Sequence, residues 1–424
     1  MSAVLDRVLP RRLGTSFRWL LGSSWASNLG DGIALAAGPL LVASQTRDPL
    51  LVALATVLQR LPWLLFGLVA GVLADRLDRR RIVIGVNLAR VAVISVLALT
   101  IVTGRVSIAV VLGALFLLGT AETLADTTTS TLLPMLVHRR DLGVGNARIM
   151  AGFITVNQLV GPPLGALLFA AGLVIPFAAQ ALCILLAAVL VSRIVLPPRA
   201  EAAAPRTHVR RDVAEGLRWL WRNPAVRTLT LTIVTFNITY GAAWSVLVLY
   251  AIERLGTGEV GFGLLTTAGA VGGLLGTGLY GWLASHVSLG NIMRGGLVIE
   301  TLTHLALALT TTPWVAMLVM VVFGVHAFVW GTTATTVRQR AVPSALQGRV
   351  GSVYLIGVQG GIVVGAALGG VLAARWGVTA PFWFAFAGSA LLVVLLWRQL
   401  THVAHADERA LAEGDDSGAG PSTA

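Results

Sequence analysis

The sequence predicts an all-α membrane protein, with twelve transmembrane helices arranged as two six-helix pseudo-repeats. Composition is the first reason: 56% of the 424 residues are hydrophobic and only 12% are charged. The mean hydropathy of +0.82 lies beyond the range of soluble globular chains. Segmentation is the second, because polar breaks divide the chain into apolar runs that can each cross roughly 30 Å of hydrocarbon at about 1.5 Å per residue. The third is the placement of charge. All 31 basic residues are arginine, and they gather in the breaks.

Taken in order, Met1 to Arg18 is a basic arm carrying Arg7, Arg11, Arg12 and Arg18. The first span, Trp19 to Ser44, is too long for a signal-peptide core and has no persuasive cleavage site, so it is expected to stay as a signal anchor. After the break Gln45 to Pro49 come the second span (Leu50 to Ala74) and the third (Ile82 to Thr103), joined by Asp75 to Arg81, where four arginines stand in six residues. Gly104 to Ser107 is an outer turn, Ile108 to Leu133 the fourth span, and Pro134 to Gly145 an inner connection with Arg139 and Arg140. Ala147 to Ala171 and Leu173 to Leu196 complete the first half. Between Pro197 and Pro224 Val209, Val213, Leu217 and Leu220 recur at helical spacing while Arg210, Arg211, Arg218 and Arg222 take other faces. This describes an amphipathic helix on the inner leaflet.

The second half repeats the plan with spans at Val226 to Ile252, Gly261 to Ala284, Asn291 to Thr311, Pro313 to Val337, Val350 to Ala374 and Thr379 to Trp397. The expected domains are therefore 1–196, a linker at 197–224, a second half at 225–398 and a disordered tail at 399–424. About 25 of the 31 arginines fall on one side and four on the other, namely Arg47, Arg105, Arg254 and Arg375. The positive-inside rule then puts both termini in the cytoplasm, and the chain spans the cell inner membrane many times.

Composition also excludes functions. Without lysine there is no Walker A phosphate loop, so the chain is not by itself an ATP-driven pump. The single Cys183 supports neither a disulfide framework nor a thiol metal cluster. No nucleophile–base pair and no metal-ligand spacing occurs, so no enzyme activity, metal or cofactor is expected. The net charge of +12 belongs to loops facing lipid, so no nucleic-acid partner is expected.

Between the second and third spans, Gly71, Leu73, Ala74, Asp75, Arg76, Arg79 and Arg80 match the signature of the major facilitator superfamily, with Asp78 where that family usually has Gly. Gly281-Trp-Leu-Ala-Ser-His, 210 residues later, resembles a decayed copy. Gly161-Pro162-Pro163-Leu164-Gly165 resembles the helix-five signature of the antiporter branch, with Asn157 and Ala166 as departures. It has a counterpart in Gly365-Ala-Ala-Leu-Gly-Gly. Arg338-Gln-Arg and Leu346-Gln-Gly-Arg349-Val are similar to an inner loop of exporters of the macrolide, tetracycline and enterobactin type. The resemblance implies alternating access around a midplane site, with Asp75 capping a helix of the opposite half, partnered by Arg76 and Arg79, and with Gly71 at a close helix crossing. For Arg80 and Arg81 a topological anchor is the simpler reading. For Gly269, Gly272, Gly273 and Gly276 it is small-residue packing.

Charges left inside the membrane are costly, about 2.5 to 3.5 kcal/mol each at a helix centre. They are Asp31, Arg60, Arg90, Glu122 and Asp126. Three acids against two bases leave one carboxylate over, and an unpaired carboxylate out of water can take and release a proton near neutral pH. Arg90 and Asp126 share a depth about 10 Å from the inner boundary, so they are expected to pair. Asp31, in the polar patch Ser27-Asn28-Leu29-Gly30-Asp31-Gly32, ranks first as proton carrier, Glu122 second and Asp126 third. Arg60 is the residue that could neutralise Asp31. Asn28, Arg60, Asn237, Tyr240, Trp244, His326 and Trp330 are candidates for a substrate cavity. For the aromatics among them packing or an interface belt is the simpler reading, and for His326 a satisfied buried histidine. Glu300 and His304, four apart, are expected to satisfy each other in an outer helix without a transport role.

The function expected is proton-coupled export of an amphipathic small organic molecule, such as a drug or natural product, by a monomer. A proton-coupled importer and a non-transporting sensor of the same fold are the competing readings.

Overall fold

The structure, a computed structural model, describes residues 13–196, 209–343, 346–397 and 399. The basic arm as far as Arg12, the start of the central stretch (197–208) and the tail beyond 399 lie outside the described residues. Every regular element among those described is helical. In the first half these are α1 (Thr15–Gln45), α2 (Pro49–Arg76), α3 (Arg79–Val102) and α4 (Ile108–Ser130). They are followed by α5 (Leu142–Ala171) and α6 (Ile175–Ser192). Then come α7 (Val209–Arg222), α8 (Pro224–Trp244) and α9 (Leu247–Arg254). The last five are α10 (Glu259–His286), α11 (Leu289–Leu309), α12 (Pro313–Ala341), α13 (Gln347–Trp376) and α14 (Ala380–Leu396). Ten of these are long and apolar enough to cross a bilayer, an eleventh span is the broken pair α8 and α9, and the apolar 17-residue α14 stands where the twelfth is expected.

Helix starts follow local chemistry. Asp48 and Asp78 each turn a carboxylate back onto their helix, accepting from the Leu50 N–H at 2.9 Å and the Arg81 N–H at 3.1 Å. Ser107 and Ser288 do the same for α4 and α11. Asp78, the departure from the family signature, is thus the N-cap of α3, at a position where a cap contributes about 1 kcal/mol.

Contacts divide the chain into two compact units, Met1–Arg206 with Ser245–Ala270, and Thr207–Trp244 with Val271–Ala424. In the first, Phe17, Leu20 and Leu21 of α1 pack with Val83, Leu133, Val191 and Ile194. In the second, Leu229 and Ile233 of α8 pack with Met293 and Leu297 of α11 and with Trp330, Ala334 and Val337 of α12. Outward residues are no less apolar: Leu99, Leu182, Val195 and Val394 are each at least 61% exposed. A surface of that kind is stable only against lipid, which makes the chain a multi-pass membrane protein.

The amphipathic α7 docks one face on its own unit. Leu220 is buried with Val226, Val342 and Val350, and Glu215 pairs with Arg349 at 3.0 Å. A Cβ on Gly216 would meet the Arg349 carbonyl at 2.6 Å, so the helix backbone lies directly on the start of α13. Leu217 and Trp221 remain exposed.

Each unit is pinned by one helix lying on another through glycine. In the first, a Cβ on Gly161 would meet the Gly32 backbone at 2.5 Å, and one on Gly165 would strike the Ile33 carbonyl. In the second, Gly365 and Gly369 lie equally close to the Ile238 and Ala242 carbonyls of α8. The two sequence echoes therefore do the same structural work, α5 on α1 and α13 on α8. Gly272 and Gly276 of α10 similarly meet the Val321 and Val325 carbonyls of α12. At Gly71 no atom of its own unit comes within 4 Å of an added Cβ, so the close crossing expected there is not found inside the unit.

This contrast is testable by thermal denaturation of purified protein. Gly165→Leu should lose about 1–3 kcal/mol through overpacking, whereas Gly71→Leu should melt like wild type.

Candidate functional site

In the first unit the charged residues converge from α1, α3 and α4. Arg90 of α3 is buried, with 2% of its surface exposed, and its Nη2 donates to Oδ1 of Asp31 on α1. Its Nη1 donates to Ser27 Oγ at 3.4 Å, and Ser27 Oγ in turn donates to Asp31 Oδ2 at 3.3 Å. One turn of α1, from Ser27 to Asp31, thus carries both partners of the guanidinium. The pairing of Arg90 with Asp126 expected from equal depth is not formed. An arginine side chain reaches several ångströms along the bilayer normal, so the depth of its Cα does not decide its partner.

Glu122 and Asp126 stand one turn apart on α4. Glu122 is half-buried and Asp126 exposed, and among the described residues neither has a hydrogen-bond or ion-pair partner. Glu122 lies within electrostatic reach of Asp31, Arg90 and Arg60, and Asp126 within reach of the same three and of Glu122. Arg60 is exposed on α2 and makes no ion pair with Asp31, so it does not neutralise that residue. The surplus carboxylate that charge counting requires is therefore on α4, where Glu122 sits beside a pair that is already satisfied.

Asn28 donates to the Ser24 carbonyl at 2.8 Å and accepts on its own carbonyl from Asn157 Nδ2 at 3.2 Å; Gln158 then donates to Asn157 Oδ1 at 2.6 Å. These α5 residues lie in a π-helical stretch, Phe153–Val160, that ends at Gly161. The interruption is local, because Pro162 and Pro163 have no N–H to give the carbonyls of Gln158 and Leu159 four residues back, so the α-helical ladder cannot continue there. Pro162 and Gly165 are buried, and Gly263 of α10 packs on Ala166 and the Pro162 carbonyl from the other side. Nothing in the composition of Asn157 and Gln158 marks them in advance. The signal was the Pro-Pro pair that follows.

In the signature between α2 and α3, the side chains of Asp75 and Arg76 lie outside the described ones. Arg79 Nη1 approaches Met135 Sδ at 2.8 Å, and Arg80 Nη1 donates to the Ile194 carbonyl at 3.0 Å, closing the end of α6. Arg80 thus has a bond of its own beyond anchoring topology, while Arg81 only pairs with Asp78 at the surface.

In the second unit the candidates fall along one ladder of rings. Trp330 stacks on Phe236 at 6.0 Å, Phe236 on Tyr240 at 6.1 Å, and Tyr240 on Trp244 at 4.6 Å, with Phe323 at 4.6 Å from Trp244. Asn237 is buried, and its Nδ2 donates to the Ile233 carbonyl of its own helix. Beside the ladder, Glu300 accepts from His304 at 2.8 Å, the pairing read from their spacing, and from His326 at 3.1 Å. Glu300 and His304 are fully buried on one face of α11, while Leu302 between them is exposed on the other. The second histidine, 26 residues away on α12, leaves no trace in local spacing.

The profile of a family described as transmembrane secretion effector matches residues 10–417. The chain is similar to the multidrug efflux pump Tap of Mycolicibacterium fortuitum, at 28% identity over 386 residues that cover 86% of this chain and 90% of the pump. It is also similar to macrolide efflux protein A of Streptococcus pyogenes, at 22% identity over 392 residues, 88% and 93% of the two chains. Among solved structures, a point mutant of the nucleoside transporter NupG superposes with a TM-score of 0.73 at 12% identity, covering 91% of this chain and 99% of that one. A bacterial homologue of the iron transporter ferroportin gives 0.71 at 16% identity, covering 91% and 98%. At such identities the structural likeness concerns the fold.

The site geometry makes a stability prediction. Asp31→Asn strands Arg90 in a buried setting and should cost about 3–5 kcal/mol, read as a lower melting temperature in detergent. Asp31→Asn with Arg90→Met should recover most of it, and Asp126→Asn alone should change little. Equal loss in Asp31→Asn and Asp126→Asn would contradict the pairing.

Proposed function

The chain belongs to the transmembrane secretion effector family of major facilitator transporters, and on that premise we propose that it exports an amphipathic small organic molecule in exchange for protons. It acts by alternating access, as a monomer in the plasma membrane with both termini in the cytoplasm. The direction of transport is supported by its similarity to relatives named as a multidrug efflux pump and a macrolide efflux protein. Drug-like, largely apolar substrates suit the aromatic ladder of Phe236, Tyr240, Trp244, Phe323 and Trp330.

One observation carries the proton coupling: a half-buried carboxylate, Glu122, without a partner beside the satisfied Arg90–Asp31 pair. A carboxylate in that position repels Asp31 when ionised and competes for Arg90. Proton uptake removes both effects and leaves Arg90 wholly with Asp31. Proton release makes Arg90 a shared counter-ion, so the charge state of Glu122 biases how tightly α3 is held to α1. This reading ranks Glu122 above Asp31 as the carrier, because Asp31 is committed to the guanidinium, and leaves Asp126 as a nearby acid that tunes both. Asp75, Arg76 and Arg79 take the latch between alternating states that the family signature implies, with Gly71 about one turn earlier on α2.

The reading is tested in energised inside-out vesicles, where an exporter accumulates substrate and an importer does not. A protonophore should abolish that accumulation, and ATP depletion with the proton gradient intact should not. Glu122→Gln should keep substrate binding while losing gradient-driven accumulation at least tenfold. Accumulation that survives collapse of the gradient would remove proton antiport.

A further inference from the structure

The second unit holds a cluster that this function does not use. Glu300 of α11 is fully buried, and each of its two carboxylate oxygens accepts from a different imidazole, His304 one turn along and His326 across on α12. An ionised carboxylate only accepts, so the Nε2 atom of each ring carries its hydrogen toward Glu300. That leaves both Nδ1 atoms buried and without any hydrogen-bond partner. With both rings neutral, the set carries one uncompensated negative charge out of water.

Among the described residues no other charge answers it. Of the helices packed on α11, α14 has no ionisable side chain between Ala380 and Leu396. The arginines of α12, Arg338 and Arg340, lie at its far end, about 18 Å along the helix from His326. Arg294 of α11, about 9 Å along the helix from Glu300, is bound to the Trp397 carbonyl at 2.6 and 2.8 Å. From α8 come Trp244, edge-on to His304 at 5.8 Å, and Tyr240. Among the described residues Glu300 pairs with the two histidines and with no other group. The addition of one proton cancels the charge, and since both Nε2 positions are occupied, that proton lands on an Nδ1. Trp244 and Phe323 stand in edge-type contact with His304 and His326, at 5.8 and 6.2 Å between ring centres. Gly296 keeps the space open, because a Cβ there would meet His326 Nδ1 at 2.9 Å.

We propose that Glu300, His304 and His326 form a second proton-binding site, occluded within this unit, that takes up and releases one proton shared between the two imidazoles. The site stands on this geometry alone; the use of its proton in transport rests on the antiport reading above. Histidine-selective nitrogen NMR of the purified full-length protein in lipid nanodiscs tests it, with the two rings assigned from His304→Gln and His326→Gln. Across the range about pH 8 to 5, where imidazoles change charge, one ring of the pair should pass from neutral to charged, summing to one proton. Glu300→Gln should make that ring at least tenfold harder to protonate. The wild-type spectrum decides even if the variants fail to fold: two rings neutral at every pH, or one charged at every pH, would leave a fixed hydrogen-bonded pin and overturn the proposal. Export that ignores a protonophore in a protein whose pair does titrate would remove the antiport reading and keep the site.

Discussion

Arg90 is the residue on which the first unit depends. A guanidinium cannot be left alone in hydrocarbon, and a helix whose middle carries one must meet an acceptor on a neighbour. Asp31 and Ser27 meet that demand from one face of α1, which fixes the rotation of α1 about its own axis. With that face turned to α3, the glycine face at Gly32 is turned to α5, where Gly161 and Gly165 allow backbone contact. The ion pair and the glycine seam are thus two consequences of one helix orientation. The remaining acids on α4 are then free of structural duty, which makes a proton-carrying role chemically available to them.

Most of the fold was legible because it depends on quantities that sequence carries directly. Apolar run length sets span count. The glycine echoes were legible for the same reason, since a small residue at helical spacing has one main use in a membrane, close approach. What escaped was rotation and reach. Matching Arg90 to Asp126 by depth treated side chains as points, yet the arginine stem is long enough to choose a partner a turn away. Glu300 and His304 were legible as a local pair, but His326 completes them from another helix. Asp78 read as a departure from the family signature, and its role as a cap becomes plain only once α3 starts beside it.

The two units share their seams and differ in their polar contents. Both lay a glycine-bearing helix on the helix that opens the unit's bundle. The first unit fills its interior with a cation and carboxylates, whereas the second uses a carboxylate, two imidazoles and a row of aromatic rings. Backbone packing is therefore the repeated element, and side-chain chemistry is where the repeats have diverged. A fold that keeps its seams constant can change what lies between them at little cost to stability, since close contact at glycine does not depend on the polar groups nearby.

In the helix-five motif one short stretch sets both the backbone form and a polar contact. Pro162 and Pro163 withdraw two backbone donors, and the preceding turns rewind as π-helix. A π stretch is wider than the α-helix around it, and here the Asn157 side chain turns onto the Asn28 carbonyl of α1, within one turn of Asp31. Polar contact and glycine seam therefore meet on the same two helices. Any slide of α5 along α1 must break the Asn157 bond while the glycines below keep the backbones in touch, which separates a weak, exchangeable polar contact from a permanent apolar one. The stretch of α1 that holds Arg90 is then coupled to α5 through a hydrogen bond worth about 1 kcal/mol, small enough to be made and broken in each transport cycle.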